Sequence, residues 1–154
     1  MIFNVAAAFR AALPGRGRLL GLDLGEKTIG IAISDPAWQV ASPLSTIRRS
    51  KWSKDSAQLT SLVSERAIAG FVLGWPRNMD GSEGPRCQSV RQFAQNWEKL
   101  HPFPILLWDE RLSTRAIERA MIEADMRRAH RARVIDQAAA SYILQGALDA
   151  LVRP

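Results

Sequence analysis

Short apolar runs open the chain, and their spacing predicts strands. Residues 18–24 are almost wholly apolar, and residues 29–34 place isoleucine at alternate positions. Alternation with a period of two is typical of a β-strand. A tight turn over 25–28 joins these segments, and a third, irregular strand is predicted over 40–47. Because short strands in succession pair antiparallel, the pattern predicts an opening β-meander.

After this meander the apolar pattern alternates between helical and strand periods. Ser53 and Ser113 are predicted N-caps, because their side chains can accept bonds from the first free N–H groups of a helix. The predicted helices cover 53–67, 86–100, 113–124 and 134–152, and the predicted strands between them cover 70–74 and 104–108. The pattern therefore predicts an α/β domain over 18–152. Its mixed five-stranded sheet is antiparallel first and then parallel, with helices on both faces.

Residues 1–17 precede this pattern and are predicted to be a flexible leader ending in Pro14-Gly15-Arg16-Gly17. The segment has no basic start, and Arg10 interrupts its apolar stretch, so it is not typical of a secretory signal. No apolar run approaches the roughly 18 residues of a membrane span. We therefore expect a cytoplasmic protein.

The charge balance suggests a polyanionic partner. The 154 residues include 21 Lys and Arg against 15 Asp and Glu, and 17 of the cations are arginine. Arginine binds phosphate oxygens through two parallel hydrogen bonds. A solvated basic surface explains the same balance, so composition leaves both interpretations open. The single cysteine, Cys87, excludes an internal disulfide.

Acidic residues stand where predicted strands end. Asp23 lies within the first apolar strand, Asp109 and Glu110 directly follow the strand 104–108, and Asp136 lies on the apolar side of the last helix. A buried carboxylate is costly unless it is paired or binds a metal. We expect Asp23, Asp136 and one of Asp109 and Glu110 to converge at one edge of the sheet. Oxygen ligands of this kind suit Mg²⁺ and Mn²⁺, which in pairs support phosphodiester hydrolysis.

Each acid also has a purely structural interpretation. Asp23 could accept hydrogen bonds from the N–H groups of the following turn. Glu110 could pair with Arg111 or Arg115, and Asp136 could complement a helix dipole.

Four segments, in order, resemble motifs of the YqgF/RuvX family and together span about residues 18–151. They are Leu22-Asp-Leu-Gly25 with Ile29-Gly-Ile-Ala-Ile-Ser-Asp35, Gly74-Trp-Pro-Arg-Asn-Met-Asp-Gly-Ser-Glu-Gly84, Asp109-Glu-Arg-Leu-Ser-Thr114, and Ile135-Asp-Gln-Ala-Ala139. The second and third motifs are long and specific. Thr28 departs from the family, where a basic residue is frequent, and Trp75 and Arg77 replace residues that are often small or aliphatic.

The resemblance implies a ribonuclease H-like fold related to RuvC-type Holliday junction resolvases. It implies a nuclease that trims the 5′ end of the 16S rRNA precursor, with cleavage of Holliday junctions or branched DNA as the alternative. Asp23, Glu110 and Asp136 fall on the family's acidic metal-binding positions, with Mg²⁺ or Mn²⁺ as the cofactor. A non-catalytic RNA-binding assembly factor is a further alternative. The expected partners are nucleic acid and the assembling small ribosomal subunit, and the chain would act as a monomer or a homodimer.

Basic and polar residues near these acids are the predicted substrate contacts. Residues 126–133 hold four arginines and no acid, which favours a phosphate-binding arm, with a solvated loop between helices as the alternative. The loop around Asn78 can offer backbone N–H groups to a phosphate. The predicted substrate-binding residues are Lys27, Arg77, Asn78, Arg111, Ser113, Thr114, Arg127, Arg128, Arg131 and Arg133.

The tryptophans divide by their positions in the predicted elements. Trp97 and Trp108 are predicted to lie in the core. Trp52 and Trp75 are placed on loops, where they could stack on bases.

Overall fold

The computed structural model describes residues 1–78, 80–110 and 128–152, of which 128–137 are described by their backbone alone. The strands are β1 (Ile2–Phe3), β2 (Arg18–Leu24), β3 (Thr28–Ser34), β4 (Ala41–Arg48), β5 (Ile68–Trp75) and β6 (Ile105–Asp109). The helices of the described ranges are α1 (Ala6–Ala12), α2 (Trp52–Arg66), α3 (Pro85–Leu100) and α4 (Arg128–Val152). None of these helices has the length and apolarity that crossing a membrane requires.

The strands form one mixed sheet in the order β1-β6-β5-β2-β3-β4. β2, β3 and β4 form the predicted antiparallel meander, whereas β5 runs parallel to both β2 and β6. The carboxyl ends of β2, β5 and β6 therefore meet at one edge of the sheet, which we call the carboxyl edge.

Helices cover both faces of the sheet, as predicted. α2 and α3 bury one face, where Phe71 packs edge-on against Trp97. α1 and α4 bury the other face, with Phe9 and Leu144 among the buried residues. Every residue of β5 is buried, which is typical of a central strand covered on both sides.

Within the predicted leader, residues 2–12 include a strand and a helix that pack on the sheet. β1 pairs with β6 in parallel, with Ile2 opposite Ile105, and Phe9 of α1 is 0% exposed. The guanidinium of Arg10 also donates a hydrogen bond to the carbonyl of Leu151. The sheet consequently has six strands rather than the predicted five. β1 supplies partners to β6, which would otherwise be an open edge strand.

Two helices begin earlier than predicted. The N-cap of α2 is Lys51, which makes no side-chain capping bond, so Ser53 lies inside the helix. α4 already includes Arg128, ahead of the predicted start at residue 134, so the described part of the basic stretch is helical. The predicted helix over 113–124 lies outside the described residues.

Two of the tryptophan assignments change. Trp97 is buried as predicted, and Trp108 is half-buried against α4. Trp75 belongs to β5 and is only 8% exposed, while Trp52 begins α2 and packs edge-on against Phe93. The predicted loop placement of Trp52 and Trp75 was wrong, and the buried Trp75 ring leaves little surface on which a base could stack.

Candidate active site at the carboxyl edge

Asp23 lies at the carboxyl edge on the α4 face of the sheet. In β2 it alternates with Leu22 and Leu24, which belong to the core on the opposite face. On one side, Gly30 of β3 lies opposite Asp23. On the other side, Leu22 of β2 is paired with Leu73 of β5. Asp23 and Gly74 are the residues that directly follow this pair. Neither neighbouring glycine has a side chain, and Asp23 is half-buried.

Glu110 reaches the same place from β6. Its backbone N–H donates a hydrogen bond to the carbonyl of Trp75, at 3.3 Å, which continues the β5–β6 pairing by one residue. Its carboxylate lies directly over Gly74. A Cβ added at Gly74 would overlap Oε2 of Glu110 and would lie 2.6 Å from Cδ1 of Ile143. Gly74 is therefore required for Glu110 to occupy this position.

Gly74 belongs to the site but was not predicted to do so from the sequence. A glycine inside an apolar strand is the signal that could have revealed it, because it often marks a close approach by another group.

The pKa of Glu110 is raised from 4.5 to about 7. Burial of its carboxylate is the main cause, and the negative charge of Asp23 is the second. Asp109 raises the pKa further, and Arg86 opposes the shift. Two carboxylates that resist ionising together favour a bound cation, and their oxygens are the ligands that hard divalent metals prefer. The residues present thus fit a divalent metal.

Asp136 is placed by the direction of α4. Ile143 packs on Gly74 near the carboxyl edge, whereas the carbonyl of Leu151 accepts a hydrogen bond from α1, which packs on Gly70 in the first half of β5. Lower residue numbers in α4 therefore lie closer to that edge, and the backbone of residue 136 lies about two turns before Ile143. Among the residues whose side chains are described, no three possible metal ligands form a group. The convergence of Asp136 with the other two acids stays a prediction.

The loop that carries Asn78 is closed on itself by hydrogen bonds. The N–H of Asn78 donates to the carbonyl of Ser82 at 2.9 Å, and the N–H of Gly81 donates to the carbonyl of Asn78 at 2.8 Å. Arg77 Nε donates to the carbonyl of Gly81 at 3.0 Å, and its Nη1 lies 3.7 Å from Oδ2 of Asp109. Arg77 thus braces the loop against the residue that precedes Glu110, while Asn78 remains exposed.

The other predicted substrate contacts are only partly described. Lys27 is exposed in the turn between β2 and β3, beside the carboxyl edge. Arg128, Arg131 and Arg133 belong to the first turns of α4 by their backbone. The positions outside the described residues are Arg111, Ser113, Thr114 and Arg127.

Comparison with solved structures identifies the fold. The chain resembles Thermus thermophilus RuvC in complex with a Holliday junction substrate, with a TM-score of 0.56 and 13% identity over 88% of this chain and 96% of that one. The predicted ribonuclease H-like fold is thereby confirmed.

Comparison of sequences identifies the family. A protein of Rhodobacter capsulatus is 64% identical over 143 residues, covering 93% of this chain and 90% of its own length. A protein of Paracoccus denitrificans is 60% identical over 151 residues, covering 98% and 96%. Both are named "Putative pre-16S rRNA nuclease". The family model described as "RuvX: Holliday junction resolvase" matches residues 17–150. With residues 17–150 matched, and relatives this similar over 90% or more of their length, the chain belongs to the RuvX family.

Proposed function

We propose that this protein is a divalent-metal-dependent nuclease that processes the 5′ end of pre-16S rRNA. The observation that carries the proposal is the carboxylate pair at the carboxyl edge, where Glu110 lies over Gly74 and the charge of Asp23 raises the pKa of Glu110. The names of the relatives support the substrate, and the basic composition fits a polyanion.

The metal would be held by Asp23 and Glu110, joined by Asp136 from α4, and either Mg²⁺ or Mn²⁺ suits this donor set. A bound divalent metal activates water for attack on a phosphodiester and stabilises the leaving oxygen. Glu110 must release its proton before it can ligate a cation. Since its pKa is about 7, metal affinity should rise as the pH increases through neutrality.

The remaining residues would hold the sugar-phosphate backbone. Lys27 lies in the turn that follows Asp23, and the basic start of α4 lies toward the same edge. Arg77 and Asn78 would present their loop to the substrate, together with Arg111, Ser113 and Thr114. Arginine and lysine contacts of this kind set the position of the backbone and do not select its sequence. We place this activity in the cytoplasm, with precursor rRNA in the assembling small subunit as the partner.

Cleavage of a four-way DNA junction is the second candidate function. It is favoured by the description of the matching family model as a Holliday junction resolvase. Symmetric cleavage of a junction requires two active sites, so this function would need a homodimer.

The test compares wild type with Asp23→Asn on three substrates. These are a pre-16S rRNA fragment with an extended 5′ end, an unrelated single-stranded RNA and a four-way DNA junction, each with Mg²⁺ or Mn²⁺. Asp149→Asn is the matched control, because Asp149 is an exposed aspartate near the distal end of α4. We expect wild type and the control to trim the rRNA fragment and Asp23→Asn to be inactive but folded.

Each contrary result is informative. Full activity in Asp23→Asn would refute the site. Cleavage of the junction alone, by a dimer, would replace the rRNA function with the resolvase function. Binding without cleavage by wild type on every substrate would indicate a non-catalytic assembly factor.

A further inference from the structure

A groove of about 540 Å³ opens beside the carboxyl edge, and none of its lining residues was predicted to contact substrate. Its walls are the turn that follows β2, the link between β4 and α2, and the first two turns of α3. We call it the β2–α3 groove. Leu24, which directly follows Asp23, forms part of its wall.

Arg49 is fixed in one wall of the groove. Its Nη1 donates a hydrogen bond to the carbonyl of Gly25 at 2.6 Å, and its backbone N–H donates to the carbonyl of Lys27 at 2.8 Å. The side chain is thus anchored by a single contact at the turn. A guanidinium has five N–H donors in a planar fork, so this contact leaves most of its donors for a ligand.

Arg86 supplies a second cation from the facing wall. It stands in the first turn of α3 and is exposed, and that turn carries no acidic side chain. The ion pairs of the described residues include neither Arg49 nor Arg86. The groove also contains Glu26, but its two arginines outnumber this single acid. The start of α3 adds the partial positive charge of a helix N-terminus.

The position of the groove relates it to the carboxylate pair. The pair lies on the α4 face of the sheet, whereas the groove lies on the α3 face, and both open at the carboxyl edge. Leu24 in the groove wall is the next residue after Asp23 in β2, so the two places adjoin at the carboxyl end of this strand. A strand of nucleic acid that crosses the edge would reach both places.

We propose that the β2–α3 groove binds a backbone phosphate of the substrate strand a short way from the scissile bond, through Arg49 and Arg86. The identity of this ligand rests on the proposed nuclease function. The two arginines are positioning residues, because they hold the strand at a second point and thereby set which phosphate reaches the carboxylate pair. Such contacts are blind to base sequence.

The test uses binding measurements in the inactive Asp23→Asn background, so that the probe stays intact. The variants are Arg86→Gln and Arg49→Gln, and Arg16→Gln is the matched control, because Arg16 is an exposed arginine at the other end of the sheet. Arg86→Gln removes an exposed charge, so folding should be unaffected. If loss of the Gly25 contact in Arg49→Gln disturbs the turn, Arg49→Lys serves as a second variant that keeps the charge.

The probe is a labelled single-stranded RNA titrated at several salt concentrations, with a DNA strand of the same sequence beside it. We expect each glutamine variant to lower affinity about tenfold, as for a lost charge-assisted hydrogen bond. The slope of log K against log salt should fall by about 0.7 per lost phosphate contact. Arg16→Gln should match its parent.

A second readout locates the phosphate. Neutral methylphosphonate groups are placed one at a time along the RNA probe. At one position along the RNA, the neutral group should weaken binding of the probe to the parent protein. At the same position it should not weaken binding to Arg86→Gln, because that variant has already lost the contact. In the active background, the same variant should spread cleavage over neighbouring bonds.

The outcomes separate this proposal from the nuclease function. If Arg86→Gln and Arg49→Gln keep the parent salt slope and the parent methylphosphonate profile, the groove is not a phosphate site, whatever wild type cleaves. If wild type cleaves no substrate while both variants bind with a reduced slope, the nuclease function fails and the groove stands.

Discussion

Replacing Glu110 with glutamine should stabilise the metal-free protein at alkaline pH. Folding raises the pKa of this carboxyl from 4.5 to about 7, through burial first and the charge of Asp23 second. Each pKa unit corresponds to about 1.4 kcal/mol, so the ionised carboxylate costs the folded state about 3 kcal/mol. Glutamine has nearly the same shape and carries no charge, which removes this cost.

The sign of the effect depends on pH. Between about 4.5 and about 7 the folded protein binds the Glu110 proton more tightly than the unfolded chain does. The free energy of unfolding of wild type therefore falls as the pH rises through this interval. The advantage of Glu110→Gln should be absent at pH 4.5, grow across the interval and reach its full size, about 3 kcal/mol, near pH 8.

The assay is urea or thermal unfolding in a chelating buffer at pH 4.5, 6 and 8. Glu65→Gln is the control, because it makes the same charge change at an exposed position on α2. Adding Mg²⁺ or Mn²⁺ should stabilise wild type but not Glu110→Gln, since only a ligand bound to the folded state adds stability. A variant that is less stable than wild type at pH 8 without metal, or a pH-independent difference, would refute the reasoning.

Three further changes test the packing and the substrate contacts. Gly74→Ala places a methyl group against Oε2 of Glu110, so we expect loss of cleavage and about 1–3 kcal/mol of destabilisation in urea unfolding. Cleavage at the wild-type rate would show that Glu110 need not lie over residue 74. Phe9→Ala should lower the free energy of unfolding by about 3–4 kcal/mol in the same assay, because the Phe9 ring is fully buried. Val5→Ala, at an exposed position, should change it little. Equal unfolding curves for the two variants would support a flexible leader. Neutralising the basic stretch should flatten the slope of log K against log salt for RNA binding. An unchanged slope would exclude the stretch from the interface. The positions replaced by alanine are Arg127, Arg128, Arg131 and Arg133.

The first two strands of the meander were predictable because each has a strong local signal. The alternating isoleucines of β3 and the apolar run of β2 appear in the sequence alone, and both elements form where predicted. Asp23 could be singled out because a carboxylate inside an apolar strand needs a compensating partner. The same reasoning identified Glu110 only by its place after a strand and did not separate its role from that of Asp109.

The sequence by itself thus determined the α/β class, the opening meander and the acids that end its strands, since these depend on short-range periodicity and residue chemistry. Only the tertiary structure decided which residues distant in the sequence lie next to each other. It placed Glu110 over Gly74, which shifts the pKa of a carboxyl that is ordinary in isolation. It also ordered residues 2–12, because the open edge of β6 and the apolar surface near α4 exist only in the folded sheet. Contacts between residues far apart in the chain carry no local signal, and in this protein they build both the candidate site and the groove beside it.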